Sequence, residues 1–311
     1  MNAGVLGIDV GGTKIAAGLL TWPGGRAVVN RVIPTQASRG GRAVLDDVLR
    51  LARELDDEGQ TQDVCVEAVG VGICELVDCE GRIASANCIQ WQSEPVQEKL
   101  ATIGPMVIEA DVRAAALAES LFGAGKAFRN FLYVTVGTGI SCCLMLDGKP
   151  YVGARGATGT MASSPLAVPC EKCGYVSQRS LEDISSGSAL AARYQAAGRN
   201  AVNGSEVFAA AVEGDPVARQ IVESAAAALG AQVGLLVSTL DPEAVIVGGG
   251  LGLSEGLYWD HFASTTRRCI WADIHRGIPI LRAATGNDAG WIGAAAKAGQ
   301  HFQNRFNITK P

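Results

Sequence analysis

The 311-residue chain has no basic run, no apolar stretch of membrane length and no low-complexity linker. Each absence narrows the field. With 26 Lys and Arg against 31 Asp and Glu, a net charge of −5, no surface is predicted that would hold nucleic acid or an anionic membrane. No segment offers the roughly 18 unbroken apolar residues of a span. The N-terminus runs directly into a strand pattern, without the charged region and cleavage site of a secretory signal. A cytoplasmic protein working on small molecules is expected, with no nucleic-acid or membrane partner. The nine cysteines are an odd number spread over strand-like and loop-like stretches, which suits reduced thiols better than a disulfide scaffold. Only Cys170-Glu171-Lys172-Cys173 has metal-type spacing. The length, with 48% hydrophobic residues, predicts two domains of ordinary size, each with its own core.

What is present is glycine at particular places. The apolar run Val5-Leu6-Gly7-Ile8 leads into Asp9-Val10-Gly11-Gly12-Thr13-Lys14. Gly11 and Gly12 let backbone N–H groups approach phosphate oxygens, Thr13 and Lys14 add donors, and Asp9 suits a hydrated magnesium ion. A Walker loop or dinucleotide fingerprint would continue into a long helix. Here Ile15-Ala16-Ala17-Gly18-Leu19-Leu20 stops at the turn cluster Thr21-Trp22-Pro23-Gly24-Gly25 and an apolar stretch resumes, which predicts a β-meander. The pattern recurs: Leu132-Tyr133-Val134-Thr135-Val136 leads into Gly137-Thr138-Gly139, then a second apolar strand and another turn. Two such hairpins half a chain apart predict a duplicated α/β architecture. One phosphate loop would come from each lobe, with the nucleotide in the cleft between them. Ala244-Val245-Ile246-Val247 runs into a third cluster, Gly248, Gly249 and Gly250, whose bare backbone suits a purine or ribose.

Between these landmarks, residues 41–59 read as an amphipathic helix with Val44, Leu45, Val48, Leu51, Ala52 and Leu55 on one face. Residues 64–73 and 107–109 read as strands and 112–122 as a helix. A loop-rich insert is predicted over 153–178, helices over 188–197, 204–212 and 215–240, and a closing helix over 287–302. Gly230 and Gly234 inside the long helix imply close packing on a neighbour. The boundaries predicted are a small α/β lobe at 1–123, with the terminal segment 290–311 returning to it, and a large α/β lobe at 124–289. Asp111, at a strand end where the alanine-rich helix starts, suits a helix cap. It also stands where a kinase needs a general base for an acceptor hydroxyl.

In these stretches the chain resembles the ROK family (repressors, open reading frames and kinases), within the larger group of sugar kinases, actin and Hsp70-like ATPases. The likeness runs nearly end to end. It is carried by Gly7 to Lys14, Gly72 to Asp78, Glu109 to Glu119, Val136 to Gly139, Gly153 to Gly159, Cys173-Gly174 with Leu181-Glu182, Ser186 to Leu190, Val247 to Gly250, and Gly286 to Gly290. The resemblance implies a two-lobed, actin-like ATPase (ribonuclease-H-like) fold and an ATP- and magnesium-dependent kinase, in most cases a homodimer. Asp111 would be the base, with phosphate contacts from Gly11, Gly12, Thr13, Lys14, Gly137, Thr138 and Gly139. Adenosine contacts would come near Gly248, Gly249 and Gly250.

The departures concern the acceptor. Family hexose kinases have Asn-Asp where this chain has Ala110-Asp111, and Gly-Glu-x-Gly-His where it has Gly159-Thr160-Met161-Ala162-Ser163. Of the sugar-holding set Asp111 and Glu182 survive. Three missing polar contacts, at about 1–3 kcal/mol each, work against plain glucose. Glu75, Asn87, Thr160 and Ser163 are the candidate replacements, so the expected acceptor is a modified sugar, an amino sugar or a C7-cyclitol of valiolone type. An ordinary hexose kinase of glucokinase, fructokinase or N-acetylmannosamine kinase type is the alternative. A non-catalytic sugar-responsive regulator is the other, and it would need an N-terminal DNA-binding domain for which the loop at residue 9 leaves no room. The family's structural zinc site is reduced to Ser163, Cys170, Cys173 and Ser180. Two thiolates and two hydroxyls do not make a structural zinc tetrahedron, so zinc is not expected.

Overall fold

The computed structural model describes residues 2–163, 165–169, 173–174 and 176–303. The chain divides into two compact units, 1–127 with 148–158 and 287–311, and 128–147 with 159–286. The first unit opens with β1 (Asn2–Val10), β2 (Lys14–Thr21) and β3 (Ala27–Pro34), an antiparallel meander. Helix α1 (Gly41–Thr61), β4 (Val64–Ile73), β5 (Met106–Ala110) and α2 (Asp111–Phe122) follow. The sheet order is β3-β2-β1-β4-β5, with β4 parallel to β1 and β5 parallel to β4. This register sets Asp9 beside Gly72, and Gly72 beside Glu109, so three strands end together at the residues that matter below.

In the second unit β6 (Phe131–Val136) and β7 (Ile140–Leu146) form a hairpin. Helices α3 (Gly187–Ala196), α4 (Gly204–Val212) and α5 (Pro216–Leu240) lead to β8 (Ala244–Gly248), which lies parallel to β6. Then come α6 (Leu257–Cys269) and β9 (Ile280–Arg282), parallel to β8. The strand order β7-β6-β8-β9 repeats β2-β1-β4-β5, so the duplication legible in the two Gly/Thr hairpins extends to whole sheets. Asp215 caps α5, accepting from the N–H groups of Val217 and Ala218, with Pro216 in the first turn where its missing N–H costs nothing. By length and composition α5 is apolar enough to cross a membrane, but half of that apolar window is buried, with Ile221, Val222, Leu229 and Val233 in the core.

The chain closes with α7 (Ala289–His301), which belongs to the first unit. The alternation of β1 explains how both sheet faces are covered. Leu6, Ile8 and Val10 pack with Val44, Val48 and Leu55 of α1, while Val5 lies in a second cluster with Trp291, Ala295 and Ala298 of α7. The second cluster depends on glycine. A Cβ at Gly7 would run into the Trp291 carbonyl, one at Gly70 into the Ala294 carbonyl, and one at Gly18 would meet the Trp291 ring at 2.7 Å.

Two features depart from the sequence reading. Helix α6 was not anticipated, because its buried stripe is Tyr258, Phe262, Thr265 and Thr266, and two of those four read as polar. Its threonines and backbone meet Gly230 and Gly234 of α5; a Cβ at Gly230 would lie 2.7 Å from the Phe262 carbonyl and one at Gly234 2.8 Å from Cys269 Cβ. The insert expected to be loop-rich contains a two-stranded hairpin, Pro165–Pro169 with Val176–Ser180.

Candidate active site

In the first unit, the β1–β2 turn is closed by the Gly11 N–H donating to the Lys14 carbonyl at 3.0 Å. Thr35, buried at the end of β3, ties it down: its hydroxyl donates to the Gly11 carbonyl at 2.6 Å and its N–H to that of Thr13 at 3.0 Å. Gly12, Thr13 and Lys14 are left exposed at the tip. Asp9 precedes the turn and Asp111 opens α2, and the missing side chain of Gly72 leaves room between them. A Cβ there would be 3.7 Å from both Asp9 Oδ1 and the Asp111 Cα. Asp111 is the first helical residue rather than the cap, which is Ala110, and its Oδ1 accepts from the Val112 N–H at 2.6 Å.

Neither carboxylate titrates normally. Desolvation, then the charge of Asp111, pushes Asp9 up to about 7 against a partial offset from Lys14. Desolvation pushes Asp111 up to about 6, assisted by Glu75 and opposed by the Val112 N–H and Arg113. A pair of half-buried acids with this much uncompensated charge has the oxygen donors that suit a hard divalent cation. Both groups hold protons more tightly folded than unfolded, where an aspartate titrates near 3.8. Their contribution to stability is therefore complete below pH ~4 and lost as pH rises through about 6 to 7. In urea unfolding of the metal-free protein, Asp9→Asn is expected to flatten this acid-side advantage, and a divalent cation to restore stability at pH 8. An unchanged profile in both would contradict the pairing.

A buried network that the sequence reading missed fixes the start of α2. Arg113 donates from Nε to Glu109 Oε1 at 2.5 Å and through its two remaining nitrogens to the Gly156 and Val77 carbonyls at 2.8 Å each. Lys297 of α7 reaches the other oxygen of Glu109 at 3.1 Å. The signal was the i, i+4 spacing of Glu109 and Arg113, which puts both on one side of the strand-to-helix junction.

Glu75 is turned inward and is 5% exposed, so it is neither a solvated loop acid nor free to meet an acceptor. Oε1 accepts from the N–H groups of Cys88 (2.5 Å) and Ile89 (2.8 Å), and Oε2 from the Asn87 N–H (2.8 Å) and the Ser85 hydroxyl. Its acceptor capacity organises loop 85–89, and that loop presents Asn87 exposed.

In the second unit the two remaining glycine clusters come together at the ends of β6 and β8. The Gly137 N–H donates to the Gly139 carbonyl at 2.9 Å, closing a three-residue turn, one residue shorter than the first. The start of α3 sits on this turn: the Gly187 N–H donates to the Gly137 carbonyl at 2.8 Å and the Ser188 hydroxyl to that of Thr138 at 2.7 Å. Gly249 has φ +81°, and its backbone lies so close to Val136 that a Cβ would strike the Val136 carbonyl; Gly250 is open. Glu182 Oε2 accepts from the Ile140 N–H at 2.8 Å and packs on Gly139, whose added Cβ would be 2.7 Å away. Glu182 thus braces the turn, a role the sequence reading did not assign it. Glu182→Ala is expected to raise the KM for ATP roughly ten-fold through loss of this charged hydrogen bond. A change confined to the acceptor KM would contradict the bracing role.

Thr160 and Ser163 lie exposed on a short 3-10 turn, Thr160–Ser163. Of the reduced zinc set, Cys170 lies outside the described residues, Cys173 is an exposed free thiol, and the Ser180 hydroxyl donates to Asp183 at 2.7 Å.

A model described as the ROK family matches residues 5–301. A glucokinase of Streptomyces coelicolor is 32% identical over 312 residues, covering 93% of this chain and 96% of its own length. An N-acetylmannosamine kinase of Yersinia pseudotuberculosis is 30% identical over 300 residues, covering 93% and 96%. Among solved structures, a ROK family glucokinase from Streptomyces griseus, crystallised with glucose and AMPPNP, aligns with a TM-score of 0.81 at 30% identity. That alignment covers 96% of this chain and 99% of the other. The two sheets of one topology are those of the two-lobed actin-like ATPase fold, and the chain belongs to the ROK family.

Proposed function

We propose that this ATP-dependent carbohydrate kinase phosphorylates a hydroxyl of a modified sugar, an amino sugar or a C7-cyclitol of valiolone type in preference to plain glucose. The observation that carries the reading is the surroundings of Asp111. Ala110 beside it is apolar and buried, and Glu75, whose charge acts on Asp111, is consumed by its own loop. Asp111 acts as the general base, its raised pKa placing the proton transfer near neutral pH. Asn87, Thr160 and Ser163 are the acceptor-side candidates. Gly11, Gly12, Thr13 and Lys14 of the first unit, with Gly137, Thr138 and Gly139 of the second, hold the ATP phosphates, and Gly248, Gly249 and Gly250 the adenosine. Magnesium is the divalent ion, held by Asp9 through water; it would neutralise phosphate charge. The two units act as the lobes, with 148–158 in the first, and the chain assembles as a homodimer.

A plain hexose kinase is the second reading, favoured by the names of the relatives at 32% and 30% identity. ADP release over a panel of hexoses, amino sugars and cyclitols, with mass spectrometry of the product, separates them. The proposal expects a kcat/KM at least ten-fold higher for a modified acceptor than for glucose; glucose as the best substrate would refute it.

A further inference from the structure

Cys74 follows directly on β4, and its N–H donates to the Val10 carbonyl at 3.2 Å, one residue before the phosphate turn. Cys88 stands on the loop that Glu75 organises, exposed, with its sulfur 3.8 Å from the point a Cβ on Gly12 would occupy. The two sulfurs and a Glu75 oxygen lie within 4.8 Å of one another, the only His/Cys/Asp/Glu grouping of this kind among the described residues. Three such donors suggest a soft metal. The hydrogen bonds argue otherwise: both Glu75 oxygens are already filled by loop 85–89, so ligation would dismantle the loop that presents Cys88. What remains is a pair of thiols close enough to join, one exposed and one half-buried, within reach of the charge of Asp111.

We propose that Cys74 and Cys88 are a reversible thiol–disulfide pair, closed by a hydroperoxide, and that closure switches off phosphoryl transfer at Asp111. The hydroperoxide oxygen is taken by the exposed Cys88 sulfur, giving a sulfenic acid and one molecule of water or alcohol. The Cys74 sulfur then attacks Cys88, the S–O bond breaks, and the hydroxyl leaves with the Cys74 proton as a second molecule of water. Two thiols lose two electrons and two protons, and the hydroperoxide is reduced. A hydrogen bond with Cys88, then desolvation and the charge of Asp111, hold Cys74 as the protonated thiol, so the exposed Cys88 is the one the hydroperoxide meets first and Cys74 loses its proton only as it attacks. Shortening the S···S separation to about 2.05 Å displaces the segment that holds Cys88 beside Gly12 and presents Asn87. Reduction by a small thiol reverses the change. The loss of activity rests on the kinase reading; the bond itself does not.

The test is peptide mapping of the full chain after graded hydrogen peroxide and alkylation, alongside the kinase rate before and after dithiothreitol. The expected result is a Cys74–Cys88 disulfide forming before the exposed Cys79, Cys173 and Cys269 are modified, a fall in rate of at least ten-fold, and recovery on reduction. Cys88→Ser should keep its rate under the same peroxide. Free Cys74 and Cys88 when the other exposed thiols are oxidised would overturn the proposal, as would a disulfide with an unchanged rate, or a Cys88→Ser protein inactivated like the parent. Mapping reads the bond without a kinase assay, so failure of the kinase reading is seen separately.

Discussion

Asp111→Asn is expected to lower kcat by about 10²–10⁴-fold, the range that removal of a general base produces, with ATP affinity largely retained. The amide is nearly isosteric, so the hydrogen bond from the Val112 N–H to the side-chain oxygen can persist and α2 keeps its start. What disappears is the site that takes the acceptor proton. The glycine turns are built from their own backbones and from Thr35, Ser188 and Glu182, and the bonds that close them do not use Asp111, so nucleotide binding has no reason to fail. The same argument predicts the pH profile of the parent. Because Asp111 is pushed up to about 6, kcat/KM should rise with pH through that value, and the rise should move to lower pH as magnesium concentration increases. A near-normal rate in Asp111→Asn would remove it from the catalytic role.

Gly70→Ala should be among the most damaging single methyl groups in the first unit. Gly70 lies in β4 between Val69 and Val71, both fully buried, and the added Cβ points at a backbone carbonyl of α7 rather than at a side chain that can turn aside. Relief requires the helix to lift, and α7 carries Trp291, Ala295 and Ala298 of one core and Lys297 of the Glu109 network. Overpacking of this kind costs about 3 kcal/mol, the upper part of the usual range. That corresponds to a fall of roughly 6–12 °C in Tm. The prediction is checked by calorimetry, with Gly277→Ala as the comparison, since a Cβ at that position meets no atom within 4 Å and its φ of −83° is open to any residue. Equal melting temperatures for the two would contradict the account of how α7 seats.

Much of this architecture can be read from residues alone, because strand ends and turns are local. The turns at Gly11 and Gly137 are closed by backbone hydrogen bonds a few residues long, and the helix at Gly41–Thr61 and the cap at Asp215 depend on side chains a few positions apart. Gly230 and Gly234 announced a close neighbour without naming it, and the neighbour, α6, hid behind buried threonines. The harder part lies where a side chain acts across a long separation. Glu75 reads as a loop acid until residues 85–89 fold over it, and Glu182 as an acceptor contact until Ile140 is found on its carboxylate. Nothing in the spacing of Cys74 and Cys88, 14 positions apart, shows that β4 and the following loop bring their sulfurs together.

The most direct measurement follows the γ-phosphoryl group of ATP labelled at that position through one turnover with a sugar-type acceptor. The account predicts that the label appears on an acceptor hydroxyl, one for each ADP formed, and that it stays on ATP in Asp111→Asn. Label released as inorganic phosphate, or equal transfer by the two proteins, would contradict a kinase in which Asp111 takes the acceptor proton.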